Sequence, residues 1–285
     1  MKQIVFGLLA LTLSLQVQAQ KKNSLLWEIT GKGLTKPSYL YGTLHITCDA
    51  SLKPKVLKAL DETERLFLEI NMSDPNLNQR MMGNLTMKDG QKLSDLMTKE
   101  DAEKVDSFLK SNFGMGLQMV DIYKPFFLQT LLYTKMIECP MQSYELELIK
   151  ITNEQKETID GLESIESQLE IFDKIPYKDQ VKDLLLMIEN VEKKDFSEMN
   201  QLIKLYNEEN LDGLIKLIKQ SELTTTNEFD DLLLVNRNKN WVPIIIEKSK
   251  EKPTFFGVGA AHLPGNNGVI KLLQKQGFKV RPVLK

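Results

Sequence analysis

The 285-residue chain contains only two histidines, and both stand in the same setting. Tyr39-Leu-Tyr-Gly-Thr-Leu-His45-Ile and Thr254-Phe-Phe-Gly-Val-Gly-Ala-Ala-His262-Leu each run from aromatic and β-branched residues into Gly-x-x-His. Such a run reads as a short strand that delivers an imidazole at its end. If the two strands are neighbours, His45 and His262 meet at one edge of a sheet although they lie near opposite ends of the chain. Two neutral imidazoles beside a carboxylate form a transition-metal site, or a general-base arrangement where no metal binds. A lone histidine near a strand end is more often a hydrogen-bonded structural group, so the shared context of the pair carries the functional reading. Gly42 and Gly259 suit it, because a residue without Cβ lets another backbone or a ligand come close.

Glu69 is the leading carboxylate. It stands in the apolar run Leu66-Phe-Leu-Glu-Ile70, where an acid is costly to bury unless it is paired, hydrogen-bonded or metal-bound. The competing explanation is simple alternation, with Phe67 and Glu69 facing one side of a strand. Glu145, in Ser143-Tyr-Glu-Leu-Glu, is a weaker candidate because its acid-rich segment also fits a solvated face. Arg237, in Asn236-Arg-Asn-Lys-Asn-Trp241, offers a guanidinium able to hold a carboxylate or a developing negative charge bidentately. The turn Gly265-Asn-Asn-Gly268 precedes a helix start whose free N–H groups suit an anion, or it is simply a loop.

The elements that must position these groups follow from periodicity. Leu25–Thr30 and Ser38–Ile46 read as a hairpin around Gly31-Lys-Gly33, Leu52–Glu64 as a helix, and Arg65–Ile70 as a strand. From about residue 74 to 250 the spacing is nearly all helical, with Ser143–Thr152 readable as either helix or strand. Thr254–Val258, Gly268–Gln276 and Lys279–Val283 close the chain as strand, helix and strand. The expected class is therefore α+β, with a sheet built from N- and C-terminal strands and covered by a large helical insertion over roughly 75–250.

Composition narrows the function. At 42% hydrophobic and 27% charged residues the chain can bury a sizeable core, and 37 basic against 39 acidic residues predict no nucleic-acid partner. Residues 1–19 have the form of an export signal: Lys2, an apolar run from Ile4 to Leu15, and a Val17-Gln-Ala19 cleavage box. The expected mature protein is one domain over residues 20–285, periplasmic or extracellular, with no membrane span after signal removal. In an oxidising compartment Cys48 and Cys139 are expected to form a disulfide; the rival reading makes Cys48 a third metal ligand or a nucleophile.

Several of these segments, taken in order, resemble the TraB/GumN family: Gly42-Thr-Leu-His45, Phe67-Leu-Glu-Ile70, Gly161-Leu-Glu-Ser-Ile-Glu-Ser-Gln168, Arg237-Asn-Lys-Asn-Trp241 and Gly257-Val-Gly-Ala-Ala-His-Leu-Pro-Gly-Asn-Asn-Gly-Val-Ile270. The resemblance implies a fold related to the erythromycin-esterase and ChaN group. It also implies, as in the TIKI branch, proteolysis dependent on a divalent metal. On that pattern His45, His262 and Glu69 fall on the metal and catalytic positions and Arg237 on the family arginine. Asn71 stands where aspartate is common, and Ala261 where glycine is. The expected function is an exported metal-dependent hydrolase acting on a peptide or protein with manganese, cobalt or zinc. The alternatives are a non-catalytic haem, metal or peptide binder, and a metal-free esterase-like hydrolase with a histidine base.

Overall fold

A computed structural model describes residues 23–223, 225 and 228–284; the export signal expected at residues 1–19 lies outside them. Chain order begins with β1 (Leu26–Thr30), β2 (Ser38–Thr43), α1 (Pro54–Asp61) and β3 (Arg65–Leu68). Pro54 opens α1, where its fixed φ and missing N–H suit the first turn. The helical stretch then supplies α2 (Leu77–Met82), α3 (Lys99–Phe113), α4 (Leu117–Val120), α5 (Pro125–Met136) and α6 (Tyr144–Glu154). Here β4 (Thr158–Gly161) intervenes. It is followed by α7 (Ile165–Lys174), α8 (Tyr177–Lys193), α9 (Ser197–Asn207) and α10 (Leu211–Gln220). A π-turn (Asp231–Val235) leads into α11 (Asn236–Glu251), and β5 (Phe255–Gly259), α12 (Val269–Lys275) and β6 (Lys279–Pro282) complete the chain.

The six strands form one mixed sheet in the order β4-β3-β5-β2-β1-β6. The four strands β4, β3, β5 and β2 run parallel, and β1 pairs antiparallel with both β2 and β6. The expected neighbours are thus found: Tyr39 lies opposite Phe255 and Thr43 opposite Gly259. Every residue of β2 and β3 is buried, and so are Phe255–Val258 of β5, as befits parallel strands covered on both faces.

The structure settles one open reading and corrects one expectation. Of Ser143–Thr152, readable as helix or strand, Tyr144–Thr152 lies within α6 with Ser143 at its N-cap, because Leu148 and Ile151 meet the sheet core at helical spacing. The insertion is also not uniformly helical: β4 leaves it to pair with β3, placing Leu68 opposite Gly161. With only Ile159 as an apolar anchor and alternate residues exposed, β4 is an edge strand with a weak pattern.

Two hydrophobic clusters support this architecture. One joins the sheet to α1, α6, α11 and α12; the other lies wholly in the helical part, built from Leu93, Val105, Leu109, Leu128, Leu132 and Ile188 among others. The helical part is tied together by a buried ion pair, Lys124 Nζ to Asp173 Oδ1 at 2.9 Å, with the Tyr177 hydroxyl donating to the same oxygen. Among the described residues no helix is long and apolar enough to cross a membrane.

Cys48 and Cys139 are disulfide-bonded, which removes Cys48 as a ligand or nucleophile. The bridge closes 91 residues and sits beside the Thr47–Gln142 pairing, whose N–H···O bonds are 3.0 and 2.8 Å. It therefore fastens the segment that follows His45 to the start of α6. Replacing both cysteines by serine should lower stability by about 4 kcal/mol in the chain-entropy account, read as a reduced midpoint in chemical denaturation; an unchanged midpoint would mean the pairing contributes nothing.

Candidate active site

All the candidate groups gather beyond the carboxyl ends of the parallel strands, where open sheets of this kind place ligands. His45 follows β2, Glu69 follows β3, Glu163 follows β4 and His262 lies in the 3₁₀ turn after β5 (Ala260–His262). Arg237 reaches in from the first turn of α11, and Glu145 from the first turn of α6. Glycines permit the convergence. A Cβ at Gly42 would come within 2.8 Å of Leu263 Cδ1, so only glycine lets β2 lie this close to the turn carrying His262. A Cβ at Gly259 would stand 3.2 Å from Glu69 Oε1, 3.6 Å from His262 Cδ2 and 3.7 Å from His45 Nε2. These three side chains thus surround one small open space.

The hydrogen bonds fix the state of each imidazole. Asn238 donates through Nδ2 to the Asn267 carbonyl at 2.9 Å, which turns its Oδ1 toward His262 Nδ1 at 2.7 Å. His262 therefore carries its proton on Nδ1 and presents a lone pair on Nε2, which accepts from Arg237 Nη1 at 3.2 Å. Burial disfavours the charged ring and, with the Arg237 charge adding to it, outweighs the attraction of Glu69, lowering His262 to about 3. His45 is held differently. Its Nδ1 lies 2.8 Å from Glu145 Oε1, whose other oxygen accepts from Ser143 Oγ at 2.6 Å. Desolvation opposes a charge on His45, but the Glu145 carboxylate overrides it and raises the ring to about 9. The imidazole is 65% exposed, so water at its open face screens part of that effect.

Arg237 is the hub. Nε and Nη2 both donate to Glu163 Oε1, at 3.0 and 2.6 Å; Nη2 also donates to Glu69 Oε2, and Nη1 to the Leu233 carbonyl as well as to His262. All five guanidinium donors are thereby engaged within the protein, leaving none for a substrate carboxylate in this arrangement. Its plane also lies over the Trp241 ring, 4.6 Å from the centroid. Glu69 Oε1 accepts from the Gly259 amide at 2.8 Å, and Oε2 from Gln168 Nε2 at 3.2 Å. Burial pushes Glu69 upward, yet the surrounding His262, Arg237, His45 and Gly259 hold it at about 2; because His262 stays neutral above about 3, Arg237 carries most of that pull. Glu163 moves the other way, raised by desolvation and by Glu69 against the pull of Arg237.

The structure brings His45, Glu69, His262 and Arg237 together. Glu69 lies just past the strand rather than alternating within it. Glu145 is buried and paired with His45 rather than facing solvent. Glu163, Gln168 and Asn238 were not singled out by sequence reasoning, although they stand inside the segments Gly161–Gln168 and Arg237–Trp241. Asn71 acts locally, joining β3 to β4: its Oδ1 accepts from the Ser73 amide and its Nδ2 donates to the Ile159 carbonyl. Ala261 keeps a negative φ, so glycine is not required there. The Gly265–Gly268 loop serves to hold Asn238 through the Asn267 carbonyl.

A model of the TraB/PrgY/gumN family matches residues 25–282. The chain belongs to this family. Among characterised relatives it is similar to metalloprotease TIKI1 of Danio rerio, 23% identical over 313 residues that cover 90% of this chain and 63% of that protein. It is also similar to metalloprotease TIKI2 of Xenopus tropicalis, 21% identical over 314 residues that cover 90% and 59%. The chain spans about three-fifths of the length of these relatives. No solved structure matches it.

With two histidines, an imidazole NMR titration of metal-free protein reads the site directly. One ring should titrate near 9 and fall toward 6.5 in Glu145→Gln, while the other stays neutral down to about 3. In linkage terms, His262 makes folding less favourable as pH falls below its unfolded value. The His45 contribution is full below its unfolded value and is lost as pH rises through about 9. Two rings titrating together near 6.5 would contradict the assigned contacts. Arg237→Met should cost about 3 kcal/mol or more in denaturant unfolding, because it leaves the buried Glu69 and the half-buried Glu163 without their cation; a loss below about 1 kcal/mol would count against the clamp.

Proposed function

We propose that the protein is an exported metal-dependent hydrolase of peptide bonds, with His45, His262 and Glu69 holding one divalent ion, manganese, cobalt or zinc. The observation that carries this reading is the shared orientation of the two imidazoles. Each has Nδ1 fixed by an oxygen acceptor, Glu145 for His45 and Asn238 for His262, which turns both Nε2 atoms toward the space beside Glu69 Oε1. Metal-binding histidines are normally oriented in this way by a second layer of acceptors. His262 Nε2 lies 3.6 Å from Glu69 Oε1. Among the described residues no group of three or more His, Cys, Asp or Glu side chains is placed to hold a metal ion, so ligation by His45, His262 and Glu69 requires these side chains to shift. One contact stands in the way: Arg237 Nη1 lies on the His262 lone pair and must let go for the ion to bind.

A divalent ion there supplies Lewis acidity toward a carbonyl and lowers the pKa of water. The rest of the chemistry belongs to the chain. Glu145 keeps the Nδ1 proton of His45 in place, Asn238 does the same for His262, and Arg237 with Gln168 holds Glu69 in one orientation. The metalloprotease relatives support a peptide substrate, and the disulfide together with residues 1–19 supports export to an oxidising compartment.

A second reading rests on the His45–Glu145 pair, whose open Nε2 would serve acid–base chemistry without a metal. One experiment separates the two. Elemental analysis and titration with Mn²⁺, Co²⁺ or Zn²⁺ should show about one ion per chain, lost in the His45→Ala/His262→Ala double variant, and cleavage of a peptide library should need that ion. Cleavage that survives chelation would favour the metal-free pair, and absence of histidine-dependent metal binding would sink the metallohydrolase.

A further inference from the structure

A cavity of about 400 Å³ opens beside the site, between the carboxyl edge of the sheet and the helical part. His45, Glu69, Glu145, Gln168 and Arg237 form one side of it. The remaining wall is apolar: Leu68 and Met72 from the end of β3, Phe126 from α5, Leu169 and Phe172 from α7, and Leu233 from the π-turn. Phe126 and Phe172 are stacked on each other with ring centroids 3.4 Å apart and planes 15° from parallel, and both contribute aromatic surface to the lining.

The polar side is largely closed to new partners. The donors of Arg237 are all engaged, Glu69 and Glu145 have both oxygens hydrogen-bonded, and Gln168 Nε2 faces two glutamates. On this side only His45 Nε2 and Gln168 Oε1 carry no hydrogen bond among the described residues. A polar side chain entering the cavity would lose water and find few groups to replace it, whereas an apolar one would gain from burial. A cavity that is mostly apolar, with a few convergent polar groups at one end, is the usual form of a site that fixes ligand orientation.

We infer that this cavity is the specificity pocket of the enzyme, taking one large aliphatic or aromatic side chain of an extended polypeptide next to the bond presented to His45 and Glu69. The inference rests on the hydrolase reading for what happens to the bond, but binding in the pocket stands apart from it. The stacked phenylalanines supply aromatic surface for an apolar side chain to pack against. Met72, unbranched and adaptable, lets the same space fit leucine, methionine or phenylalanine. The lining brings residues from α5, α7 and the π-turn onto the sheet edge, so the helical part selects the substrate that the strand ends act on.

The test measures binding and cleavage separately. Fluorescein-labelled capped octapeptides with a single central Phe, Leu, Gly or Asp in an otherwise constant sequence are titrated by fluorescence polarisation into the purified protein in EDTA. The same peptides are then assayed for cleavage with the activating metal. The Phe and Leu peptides should bind at least about tenfold more tightly than the Gly and Asp peptides. Phe172→Ala, which removes the aromatic wall, and Met72→Trp, which fills the space, should each erase that preference while circular dichroism and melting confirm folding. Equal binding of all four peptides, or cleavage with no apolar preference, overturns the pocket and leaves the hydrolase standing. Apolar-selective binding lost in both variants supports the pocket, and if no cleavage accompanies it under any metal, the hydrolase reading fails alone.

Discussion

A buried guanidinium holds this site together. Arg237 neutralises two carboxylates that would otherwise repel each other in a desolvated space, and it joins three chain segments remote in sequence: the ends of β3 and β4 and the turn after β5. Buried pairs of this kind contribute little net stability over a well-packed apolar alternative, yet they are costly to break once formed. The arginine is thus better explained by what it orders than by what it adds to folding. It fixes Glu69 against the Gly259 amide and aligns His262 through the lone pair, so the charges of the site keep one geometry without ligand.

The parallel register of β2 and β5 is the second constraint, and it explains why the two Gly-x-x-His segments look alike. Thr43 lies opposite Gly259, so each strand ends level with the other and each histidine falls within a few residues beyond. The glycines then have separable roles. Gly42 lets the turn after β5 lie against β2, while Gly259 keeps open the small space that Glu69 and both imidazoles surround. A side chain at Gly259 would occupy the space between Glu69 and the imidazoles, whereas one at Gly42 would meet Leu263 and Ala260. Packing alone would account for Gly42, but the open face of Gly259 has no packing use.

Much of this was legible in the sequence, for identifiable reasons. Aromatic runs ending at the two histidines marked strands, and a lone acid in an apolar run marked Glu69. The expected disulfide and the family resemblance pointed the same way. What escaped was whatever depended on a weak or double pattern. Thr158–Gly161 has four residues and one apolar anchor, so its role as the sheet edge beside β3 shows only in the pairing. Ser143–Thr152 satisfies both periods, and the burial of Glu145 depends on its being helical. Glu163 and Asn238 stand beside stronger signals, and nothing local tells that one anchors the arginine and the other sets a tautomer.

Charge balance connects these parts. With both imidazoles neutral, Glu69, Glu145 and Glu163 place three negative charges around one arginine, and the surplus of two equals the charge of a divalent ion. Such an excess is expensive in a partly desolvated site unless a cation enters, and at neutral pH a proton on His45 offsets only part of it. The one obstruction, Arg237 Nη1 on the His262 lone pair, is also the easiest of the arginine's contacts to give up. That nitrogen keeps the Leu233 carbonyl as an acceptor, while Nε and Nη2 remain on Glu163 and Glu69. The guanidinium can therefore tilt away without releasing either carboxylate. The π-turn that presents Leu233 also borders the cavity in which a substrate side chain would sit, so the arginine's backbone acceptor and the shape of the pocket share one segment.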